Sequence, residues 1–386
     1  MSLTLKSSEL KLIFLCCAFF FLGMHLVYYA AFLFLLAADK IINISTVARY
    51  HIKDLFALLL SIAFLCVVYI NGYPNMHIDK SYLPLVLLTL TTLIFFICYS
   101  KGAELSFRIL QSYTMGMFVK SLLTVLYSLW HGGESYGYGM LLDPLSGQIV
   151  NSPAYVALLS ISFAFFYSSI FSGCSLFTKK TNIAVCAFSF LLAIYLGGRS
   201  FFVVVLFTIM LNFILFKSSR RPSFVLFLAI MVVMFIIAIS ISPVLQDKIN
   251  FILLRFTNSG LESPRFLLWQ DAINKLPEYP FGGFSVDTMI EYTYWYHNLW
   301  FDTARLGGWL GLCLLVLLNI YFLTYGLVIR KNNIYSKHML IVHLLCLAVM
   351  SQEVILEGVL EVFGIYLLSG LMLVRFSREK IDYHYE

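Results

Sequence analysis

The chain has 386 residues, of which 61% are hydrophobic and 12% charged, and its mean hydropathy is +0.88. A soluble domain carries roughly twice that share of charge, so the composition excludes a separate soluble domain and predicts one integral membrane domain over residues 1–386. The formal charge of +6 does not call for nucleic acid, because membrane proteins keep Lys and Arg on the cytoplasmic side.

Taken in order, the apolar run 12–37 is broken near Gly23, Met24 and His25. Lys6 and Lys11 precede it and Lys40, Arg49 and Lys53 follow it, so both flanks read as cytoplasmic and the run as a hairpin of two short spans. It is about twice as long as a signal-peptide core and lacks a small-x-small cleavage site, so retention is expected. Further spans are predicted at 54–71, 83–99, 106–130, 153–173, 182–197, 200–216, 223–242, 305–329, 338–352 and 356–374. Most of the 26 Lys and Arg then fall on cytoplasmic turns. The expectation is an all-α polytopic fold of about twelve transmembrane helices, or about eleven if the first run is one span. Both termini lie inside. The loop 131–152 lacks Lys and Arg and reads as irregular outer backbone. The largest loop, 243–304, also faces outward and contains short helices.

The eight cysteines lie in or beside apolar runs, without a CxxC pair or a His at zinc-ligand spacing, and read as free thiols. There is no internal repeat and no nucleotide-binding Gly motif. No acidic cluster suggests a divalent metal, so neither a metal nor a cofactor is expected.

Charge, aromatic rings, Pro and Gly gather between Ser263 and Gly311. Ser263 and Pro264 suit the N-cap and first position of a helix running to about Leu276. Arg265 then sits in a first turn, where unpaired N–H groups and the helix dipole favour an anion, and its guanidinium adds a fork for phosphate. Trp269 lies four residues on, on the same face, placed to buttress Arg265 or a sugar; the same helix also reads as amphipathic and lying on the membrane. Pro280–Phe284 is a turn by composition. The aromatic stretch Tyr292–Tyr296 suits either an interfacial belt or stacking on sugars. His297 is a candidate base or hydrogen-bond partner. Asn298, Asp302 and Arg305 follow it, and with Trp269 and Tyr296 they are candidate substrate-binding residues. Arg199, after Gly197 and Gly198, stands at an outer span boundary, where a cation either reaches the headgroups or meets an anion. Arg199, Arg265 and His297 are together read as one active site. Lys120, within a span, and Glu353, Glu357 and Glu361, spaced by four, are intramembrane polar residues whose partners are open: the glutamates pair with Lys120 or Arg305, or line a cavity.

The order Gly-Gly-Arg199-Ser, then Arg265 with Trp269 and Pro280-Phe-Gly-Gly, then His297-Asn298 with Gly307 and Gly311, resembles the O-antigen polymerase and O-antigen ligase superfamily of bacterial inner-membrane proteins. The resemblance covers roughly residues 190–320. It implies a GT-C-like, metal-independent, inverting glycosyl transfer at the periplasmic face, with a glycan on undecaprenyl diphosphate as donor. By that analogy Arg199 and Arg265 bind the diphosphate and His297 orients or deprotonates the acceptor hydroxyl. Membrane lipid and a chain-length regulator protein are the other implied partners. Val203, four after Arg199, and Ala304, seven after His297, depart from the ligase pattern of Leu and Gly. The polymerase branch, extending a lipid-linked repeat unit, is therefore favoured over ligation to lipid A–core. A flippase for lipid-linked sugars is the rival from another class. It would spread its charges through paired repeats, whereas the outward cations here gather mainly in one loop.

Overall fold

The computed structural model describes residues 7–38, 51–72, 82–99, 102–132, 139–216, 265–286, 294–329 and 334–376, with isolated positions between 246 and 254. The predicted span 223–242, the Ser263–Pro264 cap and the cationic turns at 217–221 and 330–331 lie outside the described residues. The helices are α1 Ser7–Gly23, α2 Val27–Leu36, α3 Ile52–Cys66 (extended by a π turn, Val67–Asn71), α4 Leu83–Tyr99 and α5 Ala103–Gly132. After them come α6 Ser152–Ser172, α7 Lys179–Tyr195, α8 Arg199–Leu215, α9 Arg265–Lys275, α10 Leu299–Ile329, α11 Ile334–Met350 and α12 Leu360–Phe376.

Among the described residues, four helices are long and apolar enough to cross a membrane: Ile52–Asn71, Ala103–Gly132, Ser152–Ser172 and Leu299–Val328. This corrects the expectation of about twelve spans. The first apolar run shows why. It breaks at Met24–Leu26, where His25 takes a left-handed backbone with φ 65°. The chain then doubles back, so that Phe34 meets Phe19 and Tyr29 meets Phe21, with ring centroids 5.4 and 5.8 Å apart. At 1.5 Å per residue α2 is only about 15 Å long, half of a ~30 Å hydrocarbon core. The 17-residue helices α8, α11 and α12 reach roughly 25 Å. Length separates the two groups: the almost wholly buried Ser152–Ser172 qualifies, whereas Val27–Leu36 and Arg199–Leu215 are apolar and carry exposed apolar side chains but end too soon. A second correction falls at the loop 131–152, where β1 (Met140–Leu142) and β2 (Ile149–Asn151) pair antiparallel in place of irregular backbone. Asp143 caps its turn by accepting from the Leu145 N–H and the Ser146 hydroxyl, both at 3.0 Å.

The almost wholly buried α6 sets the direction of its neighbours. Gly198, just before α8, fits against Val156 near the start of α6: a Cβ there would lie 2.5 Å from Val156 Cγ1. Asn212, near the end of α8, donates to Ser168 near the end of α6 at 2.9 Å. The two helices therefore run in parallel. His338, at the start of α11, is hydrogen-bonded to Ser172 at the end of α6, 3.1 Å away, so α11 runs the other way. Tyr335 of α11 meets Phe376 at the end of α12, with centroids 5.8 Å apart, and α12 returns antiparallel to α11. Tyr69, near the end of α3, donates to the Leu356 carbonyl at 2.7 Å. The starts of α6, α8 and α12 and the ends of α3 and α11 thus share one end of the bundle.

Candidate active site

The functional candidates lie at that end. The connection 351–359 between α11 and α12 is a series of turns, so Glu353, Glu357 and Glu361 do not share one helical face. Each meets a different cation. Glu361, at the start of α12, lies 3.3 Å from Lys120 of α5 and also accepts from His25 at 3.2 Å, pinning the tip of the α1–α2 hairpin. Lys120 stands over the Tyr155 ring, 5.9 Å from its centroid. Glu357 is ion-paired with Arg305 of α10, and both side chains are 1% exposed. Glu353 lies 3.9 Å from Arg265, whose side chain is 32% exposed.

Two pairs of glycines build the floor of the site. At Gly308 the backbone leaves the helical region, with φ 57° and ψ −150°, so α10 breaks one turn past Arg305. The turn Pro280–Phe284 docks on that break: Trp309 N–H donates to the Pro280 carbonyl at 2.9 Å, and Gly283 N–H to the Arg305 carbonyl at 2.7 Å. A Cβ on Gly308 would sit 2.2 Å from the Pro280 carbonyl oxygen, and one on Gly282 would sit 2.7 Å from that of Leu306. Such contacts leave room for glycine alone. Asn71, at the end of the π turn, donates to the Phe281 carbonyl at 2.7 Å and holds α3 to the same turn.

A small core of Leu268, Ala272, Leu276, Phe284, Tyr296 and Ala304 fastens α9 to α10. Trp269 donates its indole N–H to the Tyr296 carbonyl at 3.1 Å. Tyr296 is fully buried, and its hydroxyl donates to Asp271 at 2.8 Å. Burial and the Asp271 carboxylate push its phenol above the ordinary range. Asn298 caps α10, its side-chain oxygen accepting from Trp300 N–H at 3.0 Å and its amide donating to the Ser351 carbonyl at 3.1 Å. Asp302, also buried, accepts from the N–H groups of Tyr296 and Asn298 at 2.9 and 3.4 Å. Four of the five residues expected to bind substrate, Tyr296, Asn298, Asp302 and Arg305, are therefore buried and engaged by other residues of the protein, and Trp269 is tied to backbone.

These supports aim His297 and Arg265. His297 has φ 51°, a left-handed conformation that non-glycine residues rarely keep unless their surroundings enforce it. Its Nδ1 is buried without a hydrogen-bond partner among the described residues. Burial, and then the Arg265 cation beside it, lower its pKa to about 4, so the imidazole is neutral at neutral pH. Arg265, the first residue of α9, also donates to the Gln352 carbonyl. Burial raises the Glu353 carboxyl to about 7, against the opposing pull of Arg265. Arg199 is the first residue of α8 and half-buried; the helix directions above put it at the same end of the bundle as Arg265 and His297. The pairing of Arg265 with Glu353 and Gln352 was not read from the sequence. The four-residue spacing of the glutamates was its only visible signal.

Residues 184–316 match a family model described as O-Antigen ligase. That stretch contains Arg199, Arg265, His297 and Arg305 and ends before the 351–361 segment that supplies their carboxylate partners. No curated protein matches the chain. The similarity, with the helices described above, supports a membrane-embedded, multi-span helical protein that over residues 184–316 is similar to O-antigen ligases.

Proposed function

We propose that the protein transfers a glycan from a polyprenyl diphosphate, of which undecaprenyl diphosphate is the bacterial form, to an acceptor hydroxyl at the outer face of the bacterial inner membrane. The observation that carries this reading is His297: a neutral imidazole in a strained backbone, its Nδ1 without a partner among the described residues, with the Arg265 cation beside it. Nδ1 accepts the hydrogen bond of the incoming hydroxyl. Arg265 and Arg199 take the diphosphate, whose negative charge grows as it leaves. The hydroxyl oxygen attacks the anomeric carbon from the face opposite the diphosphate and gives its proton to His297. The bond from carbon to diphosphate oxygen breaks, and its electron pair leaves with the lipid diphosphate. One displacement inverts the anomeric centre.

The description of the matched family favours lipid A–core as the acceptor, and ligation is accordingly the first reading. Val203 and Ala304, which depart from the ligase pattern, favour the second, in which the acceptor is another lipid-linked repeat unit. Reconstitution in a bilayer tests both. Product on lipid A–core alone supports ligation, and a ladder of lengthening glycans without the core supports polymerisation. Movement of intact lipid-linked glycan between leaflets, with no covalent product, would replace the enzyme by a transporter.

A further inference from the structure

Arg265 is already occupied. Its guanidinium is clasped by the Gln352 carbonyl and lies 3.9 Å from Glu353. Both partners come from the connection between α11 and α12, outside the stretch that matches the family model. Of the two cation–carboxylate contacts described for that connection, this one is the longer and has the more exposed cation. A diphosphate needs the same N–H groups that face Glu353, and a buried carboxylate and a diphosphate cannot share one guanidinium without strong repulsion. We propose that Glu353 is a latch on Arg265, a positioning residue that holds the guanidinium, yields it to the donor diphosphate, and takes up a proton as it does so. This rests on the reading of Arg265 as a diphosphate ligand.

The proton follows from burial. Glu353 is 7% exposed. Among the described residues, the charged and titratable groups that face it are Arg265 at the start of α9 and, across Arg265, His297 ahead of α10; Glu357, in its own segment, is engaged by Arg305. With Arg265 turned to the diphosphate, the carboxylate loses its counter-ion and gains an anionic neighbour, and both changes favour its neutral form. With Arg265 beside it, burial raises its pKa to about 7, and binding raises it further. Affinity is therefore flat below about pH 7 and weakens above it, by up to tenfold per pH unit, until the raised value is reached. The ligand does not confound this, because a diphosphate esterified at both ends lacks the second ionisation that a phosphate monoester shows near pH 6.

The test uses the full chain in lipid nanodiscs and a polyprenyl-diphosphate-linked monosaccharide, titrated from pH 6 to 9. The wild type is expected to lose affinity above pH 7 and Glu353→Gln to bind at least as tightly with no loss. A retained slope in Glu353→Gln, or weaker binding at every pH, overturns the latch. His297 also approaches the diphosphate, so proton uptake is measured for wild type and His297→Gln in two buffers of different ionisation enthalpy. This arm needs no Glu353 variant to fold. Uptake of up to about three quarters of a proton at pH 7.5 that persists in His297→Gln supports the latch, and uptake that disappears there assigns the proton to His297 and overturns it. A wild type that binds no lipid diphosphate at any pH removes the proposed function and the latch together. Binding and turnover with a pH-flat affinity remove the latch alone.

Discussion

The pairs Arg305–Glu357 and Arg265–Glu353 bring the same two functional groups together, their carboxylates four residues apart, yet they are built for opposite purposes. Arg305 and Glu357 are both sealed from solvent, and Asp302 lies 3.9 Å from Arg305 as a second carboxylate. Neither charge is placed to leave, so the pair ties α10 to the 351–359 turns. Arg265 is a third exposed and faces its carboxylate at nearly 4 Å. A buried pair with close geometry is a fastener. A longer one with solvent on one side is exchangeable, and only the second leaves a cation for a ligand.

Breaking the fastener gives the largest effect. Arg305→Ala strands Glu357 and Asp302 in the interior, at a cost of roughly 3–5 kcal/mol, and is expected to remove the folded protein from the detergent-solubilised fraction on size exclusion. Survival of a monodisperse, active variant would dissolve the distinction. On the exchangeable side, His297→Ala is expected to lower kcat by about two to four orders of magnitude while thermal unfolding stays within a few degrees of wild type. The free-enzyme pH profile sharpens the same point. The imidazole acts only when unprotonated, so kcat/KM is lost as pH falls through about 4, below the ordinary histidine range; an acid limb at 6 to 7 would assign the base elsewhere. Gly308→Ala forces a side chain into a left-handed backbone against the Pro280 carbonyl. It should cost roughly 1–3 kcal/mol, read as a lowered Tm. Asp271→Asn is the mildest. It weakens the Tyr296 hydroxyl contact and the 3.3 Å ion pair with Lys275 by about 1 kcal/mol, and should shift Tm slightly without changing the pH profile.

The sequence made parts of this plain and hid others for physical reasons. The helix at 265–275 and the turn at 280–284 follow from Pro and Gly, which act over a few residues and are visible locally. The break of the first apolar run at His25 was visible in the same way. The number of spans was not, because an apolar run does not show where the helix inside it ends, and several of these helices stop at 10–17 residues. The carboxylate partners were also hidden. The four-residue spacing of Glu353, Glu357 and Glu361 suggests a common helical face, and only the turns after Met350 send the three side chains to three different elements. Tyr296 and Asp302 read as ligand contacts because aromatic and acidic residues near a base invite that role. Their burial was decided by the packing of α9 on α10.

The carboxylates of the 351–361 segment set a rule for building chimeras. Exchanging residues 184–316 between relatives would import Arg265 and Arg305 and leave Glu353 and Glu357 behind in the host. The grafted cations would then meet whatever the host carries after its penultimate helix. A working graft needs two pieces of chain, the matched stretch and the short connection more than thirty residues downstream of it, transplanted as a matched set.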